Sequence, residues 1–324
     1  MVVMAKRKYD VMSRQARIKM AICYDFDGTL SPGNMQEYDY IPQLNISSKE
    51  FWADVRQRAQ SQKSDEILAY MALMIEKANA DRSKGIQITR QAFSDYAKKV
   101  KLFKGVDDWF SRINNDGKEI GIAVEHYIIS SGIREMIEGT SIAKHFERVY
   151  ASSFMYDQHG VAYWPSLAVN YTTKTQFIFR INKGCLEEWD NSTINNYQPH
   201  AERPIPFERI VYLGDGLTDV PCMRLVKDQG GHSIAVYKPN TKGRKEAAQQ
   251  LLKEGRVNFI AAGDYSENKE IHRQITSIIR KVAADAHLLA MATKCNPQPR
   301  YRRNNTCSST PDNESQEHTR EPED

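Results

Sequence analysis

Residues 20–24, Met-Ala-Ile-Cys-Tyr, are an unbroken apolar run that stops at Asp25, and Phe26-Asp27-Gly28-Thr29-Leu30 follows. A short run that is apolar at every position, rather than at every second one, suits a strand buried on both faces. That is the situation of a central strand in a parallel sheet. The same design returns downstream. Strands are expected at 126–131, 147–154, 209–213, 233–237 and 258–262. Amphipathic helices are expected at 105–115 (closed by Gly117), from Lys174 to Asn182, from Thr218, and from about Ser266 to Ala292. Asp157-Gln158-His159-Gly160 predicts a hairpin turn. Strands alternating with helices imply an α/β fold: a doubly wound parallel sheet with helices on both faces.

The stretch 35–100 does not share this alternation. Ser47 or Ser48 can cap a helix carrying Phe51, Trp52 and Val55. Ile67, Leu68, Met71, Met74 and Ile75 repeat at the spacing of one helical face. Thr89 can cap a third helix bearing Phe93, Tyr96, Ala97 and Val100. The expected division is therefore an α/β core at 19–34 and 101–292, with a small helical domain inserted at 35–100. Trp52, Met71 and Met74 are read as the insertion's own core. The segments 1–18 and 293–324 are expected to be disordered, the latter for its polar, Pro-, Asn-, Ser- and Glu-rich composition.

Composition sets the remaining bounds. The net charge of +4 over 324 residues suits an anionic substrate and gives no reason to expect nucleic acid, although the termini carry short basic runs. No segment reaches the ~18 unbroken apolar residues of a membrane span. The first residues lack the apolar block of a secretory signal, so a cytoplasmic location is expected. Cys23, Cys185, Cys222, Cys295 and Cys307 are odd in number and share no CxxC spacing, which argues against a disulfide framework or a zinc site. Nothing in the sequence speaks to oligomeric state.

Ligands in open α/β sheets bind at the carboxyl ends of the strands. Three such ends carry polar residues here: Asp25 and Asp27, Ser130 and Ser131, and Asp215 and Asp219. If those strands are neighbours, four carboxylates converge and need a cation. An all-oxygen ligand set suits magnesium. A carboxylate can attack a phosphoryl group, and a second carboxyl two residues on can protonate the leaving oxygen and later activate water. A calcium loop does not fit, because its glycine belongs at position six, and counting from Asp25 places Gly28 at about position four.

These runs resemble the motifs of the haloacid dehalogenase-like (HAD) superfamily. Asp25-Phe26-Asp27-Gly28-Thr29-Leu30 is similar to its first motif and Ile128-Ile129-Ser130-Ser131-Gly132 to its second. Gly214-Asp215-Gly216-Leu217-Thr218-Asp219 is similar to its fourth. Lys174 stands where the third motif places a lysine, with Lys183 as the nearest alternative. The resemblance implies a Rossmann-like core and a Mg2+-dependent phosphatase acting on a small phosphorylated substrate. It implies Asp25 as nucleophile and metal ligand, and Asp27 as general acid/base with its backbone carbonyl on the metal. Lys174 would balance charge, Asp215 would ligate the metal, and Asp219 would support the metal site. Ser130 would hold the phosphoryl, helped by the amides of Ser131 and Gly132. Only one of the two serines is expected to point inward, since a strand alternates faces, and Ser130 is favoured. The helical insertion matches the cap of the phosphoserine-phosphatase-like branch, although Ser131 replaces the first glycine of that branch's phosphate loop. A mutase, a binding or regulatory protein on the same scaffold, and a nucleic-acid end-processing phosphatase are the alternatives.

Overall fold

The computed structural model describes residues 18–80 and 85–295. The expected disordered ends therefore lie outside the described residues, except for Ile18, which opens the first strand, and 293–295, which continue the last helix. One compact unit runs to Ala286 and a second begins at His287. In the second unit the described residues are helical.

Seven strands form one sheet. They are β1 (Ile18–Tyr24), β2 (Ile122–Ile133), β3 (Arg148–Tyr156), β4 (Ala162–Leu167), β5 (Ile210–Gly214), β6 (His232–Tyr237) and β7 (Phe259–Ala262). Their order is β4-β3-β2-β1-β5-β6-β7, parallel throughout except for the β3–β4 hairpin. β1 explains its own composition. Met20, Ile22 and Tyr24 join one hydrophobic cluster, while Ala21 and Cys23 join another on the opposite face. Residues 20–24 are all apolar because neither face meets water there. β1 pairs with β2 on one side and β5 on the other, so the chain reverses its winding direction here. The carboxyl ends of these three strands border the crevice where such folds bind ligands.

The helices are α1 (Tyr40–Gln43), α2 (Ser48–Gln62), α3 (Glu66–Ala80), α4 (Arg90–Ala97), α5 (Val106–Glu119), α6 (Arg134–Glu138), α7 (Lys174–Lys183), α8 (Val220–Asp228), α9 (Arg244–Lys253) and α10 (Glu270–Cys295). Two boundaries differ from expectation for one reason. α5 does not close at Gly117, which lies inside it. A Cβ there would stand 2.8 Å from Val124 Cγ2 and 3.0 Å from the Ile122 carbonyl, so glycine lets the helix lie close on β2. The turn falls instead at Gly121, with φ +82°. β2 then begins at Ile122, four residues before the expected start. Glu125 breaks the apolar run, but its carboxylate is paired with Lys19 at 2.6 Å and accepts from the Tyr127 hydroxyl at 2.6 Å. Helix α9 has no clear sequence signature, burying only Ala248 and Leu251.

The inserted stretch is helical, as expected. α2 begins with a reciprocal capping box between Ser47 and Glu50, and Thr89 caps α4 by accepting from the Ala92 amide. Its apolar side does not form a separate core. Phe51, Val55, Met71 and Met74 belong to the same cluster as Met20, Ile22 and Tyr24. The base of the insertion is closed by a backbone hydrogen bond from Phe103 to the Leu30 carbonyl, 2.8 Å. Among the described residues, no helix is long and apolar enough to cross a membrane.

Candidate active site

A cleft of about 690 Å³ opens at the carboxyl ends of β1, β2 and β5. Asp25, Asp27, Ser130, Ser131, Gly132 and Asp215 line its floor. Helices of the insertion contribute Trp52, Arg56 and Tyr70, and the far wall carries Lys238 and Arg244.

Asp25 is fixed at the end of β1 by its amide, which donates to the Leu213 carbonyl of β5 at 2.9 Å. Its Oδ1 accepts the Phe26 amide at 2.8 Å and lies 3.2 Å from Lys174 Nζ. Lys174 is the first residue of α7 and is fully buried. Its ammonium also donates to Asp219 Oδ1 at 2.7 Å. Burial pulls this ammonium toward deprotonation, but the two carboxylates outweigh that and raise its pKa. Lys183, the alternative, is committed elsewhere: its ammonium caps the carbonyls of Ile194 and Asn196.

Asp25, Asp215 and Asp219 present carboxylate oxygens within 4.8 Å of one another. Their engagements differ. Asp219 Oδ1 serves Lys174 and accepts from the Tyr212 hydroxyl at 2.8 Å, while Oδ2 accepts the amides of Asp215 and Gly216. Asp219 thus holds the lysine and its own loop. Asp27 lies outside the triplet. Its Oδ1 accepts the Met35 amide at 2.9 Å, at the start of the insertion. Gly28 makes the close approach of the two acidic loops feasible. Its φ is +79°, and a Cβ there would stand 2.1 Å from Asp215 Oδ2.

Crowding leaves a clear electrostatic signature. Burial, then the Asp219 charge, push Asp25 up to about 6, against the pull of Lys174, the Phe26 amide and the Ser130 hydroxyl. Burial, then Asp219 and Asp25, push Asp215 up to about 8. Burial and Asp25 hold Asp27 well above the usual carboxylate range. A divalent cation held by Asp25 and Asp215 would offset this repulsion, and hard carboxylate oxygens suit magnesium. The residues present therefore fit the ion. The consequence for stability has a definite sign. Raised carboxyls hold protons in the folded state that the unfolded chain releases, so folding weakens as pH rises through their folded-state values. In chelator, the melting temperature is expected to fall between pH 5 and pH 8. Added magnesium should recover most at the upper end. Calorimetric melts with and without magnesium check this, and a pH-independent magnesium effect would contradict it.

Both serines border the cleft. The β2–β3 register shifts between Ser130 and Ile133, so strict face alternation is lost there. Ser130 Oγ accepts the Gly132 amide at 3.1 Å. Ser131 Oγ is buried and has no hydrogen-bond partner. Met71 and Met74 are buried, but in the core shared with the sheet rather than in one of the insertion's own. Trp52 instead reaches the cleft wall, its indole N–H donating to Glu37 Oε1 at 2.7 Å. Tyr70, Tyr212 and Arg244 were not legible as site residues. The two tyrosines sit in apolar patterns that read as core, and Arg244, 4.0 Å from Asp215, follows a turn with no motif around it.

The haloacid dehalogenase-like hydrolase family matches residues 22–224. A Borreliella burgdorferi protein described as uncharacterized is 28% identical over 280 residues, covering 79% of this chain and 95% of its own. Among solved structures, a probable phosphoserine phosphatase from Vibrio cholerae in unliganded form superposes with a TM-score of 0.51 at 13% identity. The match covers 83% of this chain and 67% of that one. A HAD family hydrolase from Salmonella enterica serovar Typhi gives a TM-score of 0.47 at 16% identity, covering 72% and 71%.

Proposed function

This chain belongs to the haloacid dehalogenase-like hydrolase family, and on that premise we propose that it is a magnesium-dependent phosphatase of small phosphate monoesters working through an aspartyl-phosphate on Asp25. The observation that carries this reading is the pairing of two carboxyl groups with opposite surroundings on one cleft floor. Asp25 touches a buried ammonium at 3.2 Å, which favours its ionised form. Asp27 has no such partner among the described residues, and burial favours its protonated form. The first suits a nucleophile and the second a proton donor.

In the first half-reaction a carboxylate oxygen of Asp25 attacks phosphorus, and the bond to the ester oxygen breaks. Asp27 gives its proton to that departing oxygen. In the second half-reaction Asp27, now ionised, takes a proton from water as the water attacks the aspartyl-phosphate. Orthophosphate leaves and Asp25 is restored. Ser130 and the amides around Gly132 hold the non-bridging oxygens, and Lys174 offsets the charge accumulating beside Asp25. When bound by Asp25 and Asp215, magnesium supplies positive charge against which the phosphate can approach this acidic floor. Helices α2 and α3 wall the cleft and limit water.

The test is direct. Purified protein with magnesium is expected to release orthophosphate from a generic aryl phosphate, to stop in chelator, and to resume on adding magnesium. Magnesium binding without turnover across a broad ester panel would instead favour a binding role.

A further inference from the structure

One interaction crosses from the insertion to the floor of the cleft at a point where the sheet itself is irregular. Tyr70, on α3, is 3% exposed, and its hydroxyl donates to the Ser131 carbonyl at 2.6 Å. That carbonyl and the Gly132 amide belong to one planar trans peptide, so they point in opposite directions and turn together. The Gly132 amide donates to Ser130 Oγ at 3.1 Å, and Ser130 lines the cleft floor together with Asp25. A continuous hydrogen-bonded path thus runs from the Tyr70 hydroxyl through one peptide to Ser130, which lines the same cleft floor as Asp25. In a regular ladder the neighbouring strand would fix this peptide. Here the β2–β3 register shifts between Ser130 and Ile133.

We propose that Tyr70 is a positioning residue for the phosphate-binding turn: its hydroxyl sets the orientation of the Ser131–Gly132 peptide, and through it the placement of Ser130 against Asp25. The inference rests on the phosphatase reading above. Two contacts hold Tyr70 itself in place. Its ring meets Trp52 edge-on, with centroids 5.9 Å apart. Its helix is tied at the amino end, where Asp65 Oδ2 accepts from Asn170 at 2.9 Å. The Asn170 carbonyl in turn accepts the Lys174 amide at 3.0 Å. The helix that walls the cleft is therefore joined to both the phosphate-binding turn and the start of the lysine's helix. A leaving group resting on Trp52 and Tyr70 touches the same residue that orients the phosphate-binding turn.

A double-mutant cycle tests this. Tyr70→Phe keeps the ring and removes only the hydroxyl; Ser130→Ala removes the group on which Tyr70 acts. Hydrolysis of an aryl phosphate and the binding of orthophosphate in magnesium are measured for wild type, both single variants and the double. Tyr70→Phe is expected to lower kcat and weaken orthophosphate binding, each by roughly tenfold, the scale of one hydrogen bond. In the Ser130→Ala background the same change is expected to cost clearly less than in wild type, because only the Gly132 amide is left for the hydroxyl to orient. A residue that only stabilises the insertion would give equal losses in both backgrounds. Additive losses, or a Tyr70→Phe variant equal to wild type, overturn the inference while leaving the phosphatase reading intact. A wild-type protein that neither binds orthophosphate nor turns over any ester overturns the phosphatase reading and removes the inference with it.

Discussion

Replacing Asp25 with Asn is expected to end ester hydrolysis, with kcat falling by roughly 10⁴-fold or more, the scale seen when a covalent nucleophile is removed. The amide is nearly isosteric and retains an oxygen for the Phe26 amide that now donates at 2.8 Å. It lacks the charge that attacks phosphorus and draws a cation to Asp215. The same change should alter stability in the opposite direction. Asp25 is one of the charges that push Asp215 up to about 8. Removing it relieves repulsion, so in chelator at pH 8 the variant is expected to melt above wild type. The activity half of this result is checked by steady-state hydrolysis together with mass spectrometry of enzyme quenched during turnover. Wild type should carry one added phosphoryl group and the variant none. A variant with full activity would sink the Asp25 mechanism.

The second large effect is on the fold itself. Lys174→Met preserves the length of a fully buried side chain but leaves the carboxylates of Asp25 and Asp219 without their shared ammonium. Removing one partner from a buried ionic cluster costs about 3–5 kcal/mol. The loss should depend on pH in a definite direction. Lys174 is among the groups that restrain the rise of Asp25, so without it the folded state holds that proton still more tightly than the unfolded chain does. The variant's deficit should be largest at alkaline pH and should shrink as pH falls toward the ordinary carboxylate range. Urea unfolding at pH 5 and pH 8 measures this. Equal deficits at both would show that Lys174 acts through packing rather than charge. Hydrolysis should also be lost, because Lys174 sits 3.2 Å from the proposed nucleophile.

The fold was legible wherever burial was symmetric. Met20 to Tyr24 pack into two clusters on opposite faces, so their unbroken apolar run carries the position of β1 at the sheet's centre. The hairpin between β3 and β4 was legible because turn residues enforce it. The end of α5 was not. Gly117 reads as a helix stop, but here glycine is required by close packing on β2. The acidic positions at strand ends were legible, since few structural roles need carboxylates there. The division of labour among them was not, because it depends on which oxygens the backbone amides of 215 and 216 already occupy. The local break in register after Ser130 was not legible, since no periodicity argument anticipates it. Tyr70 and Trp52 reach across from the insertion, and their aromatic rings gave no sign that one end of each would face a cleft.

The hydrogen bond between Phe103 and Leu30 has a consequence for how such a protein diversifies. The chain leaves the sheet and returns to it at nearly the same point, so the segment between them can be lengthened, shortened or exchanged without moving the ends of β1 or β5. Constraints travel with that freedom: the segment also supplies the Met35 amide that holds Asp27 and the Tyr70 hydroxyl that meets the Ser131 carbonyl, and a substitute must replace both. The underside of the present segment completes the core around Ile22 and Tyr24. Any substitute must therefore arrive with an apolar base of matching shape, while the rest of the surface it turns toward the cleft is free to vary. Evolution can thus rewrite what enters this cleft while leaving the chemistry on its floor unchanged.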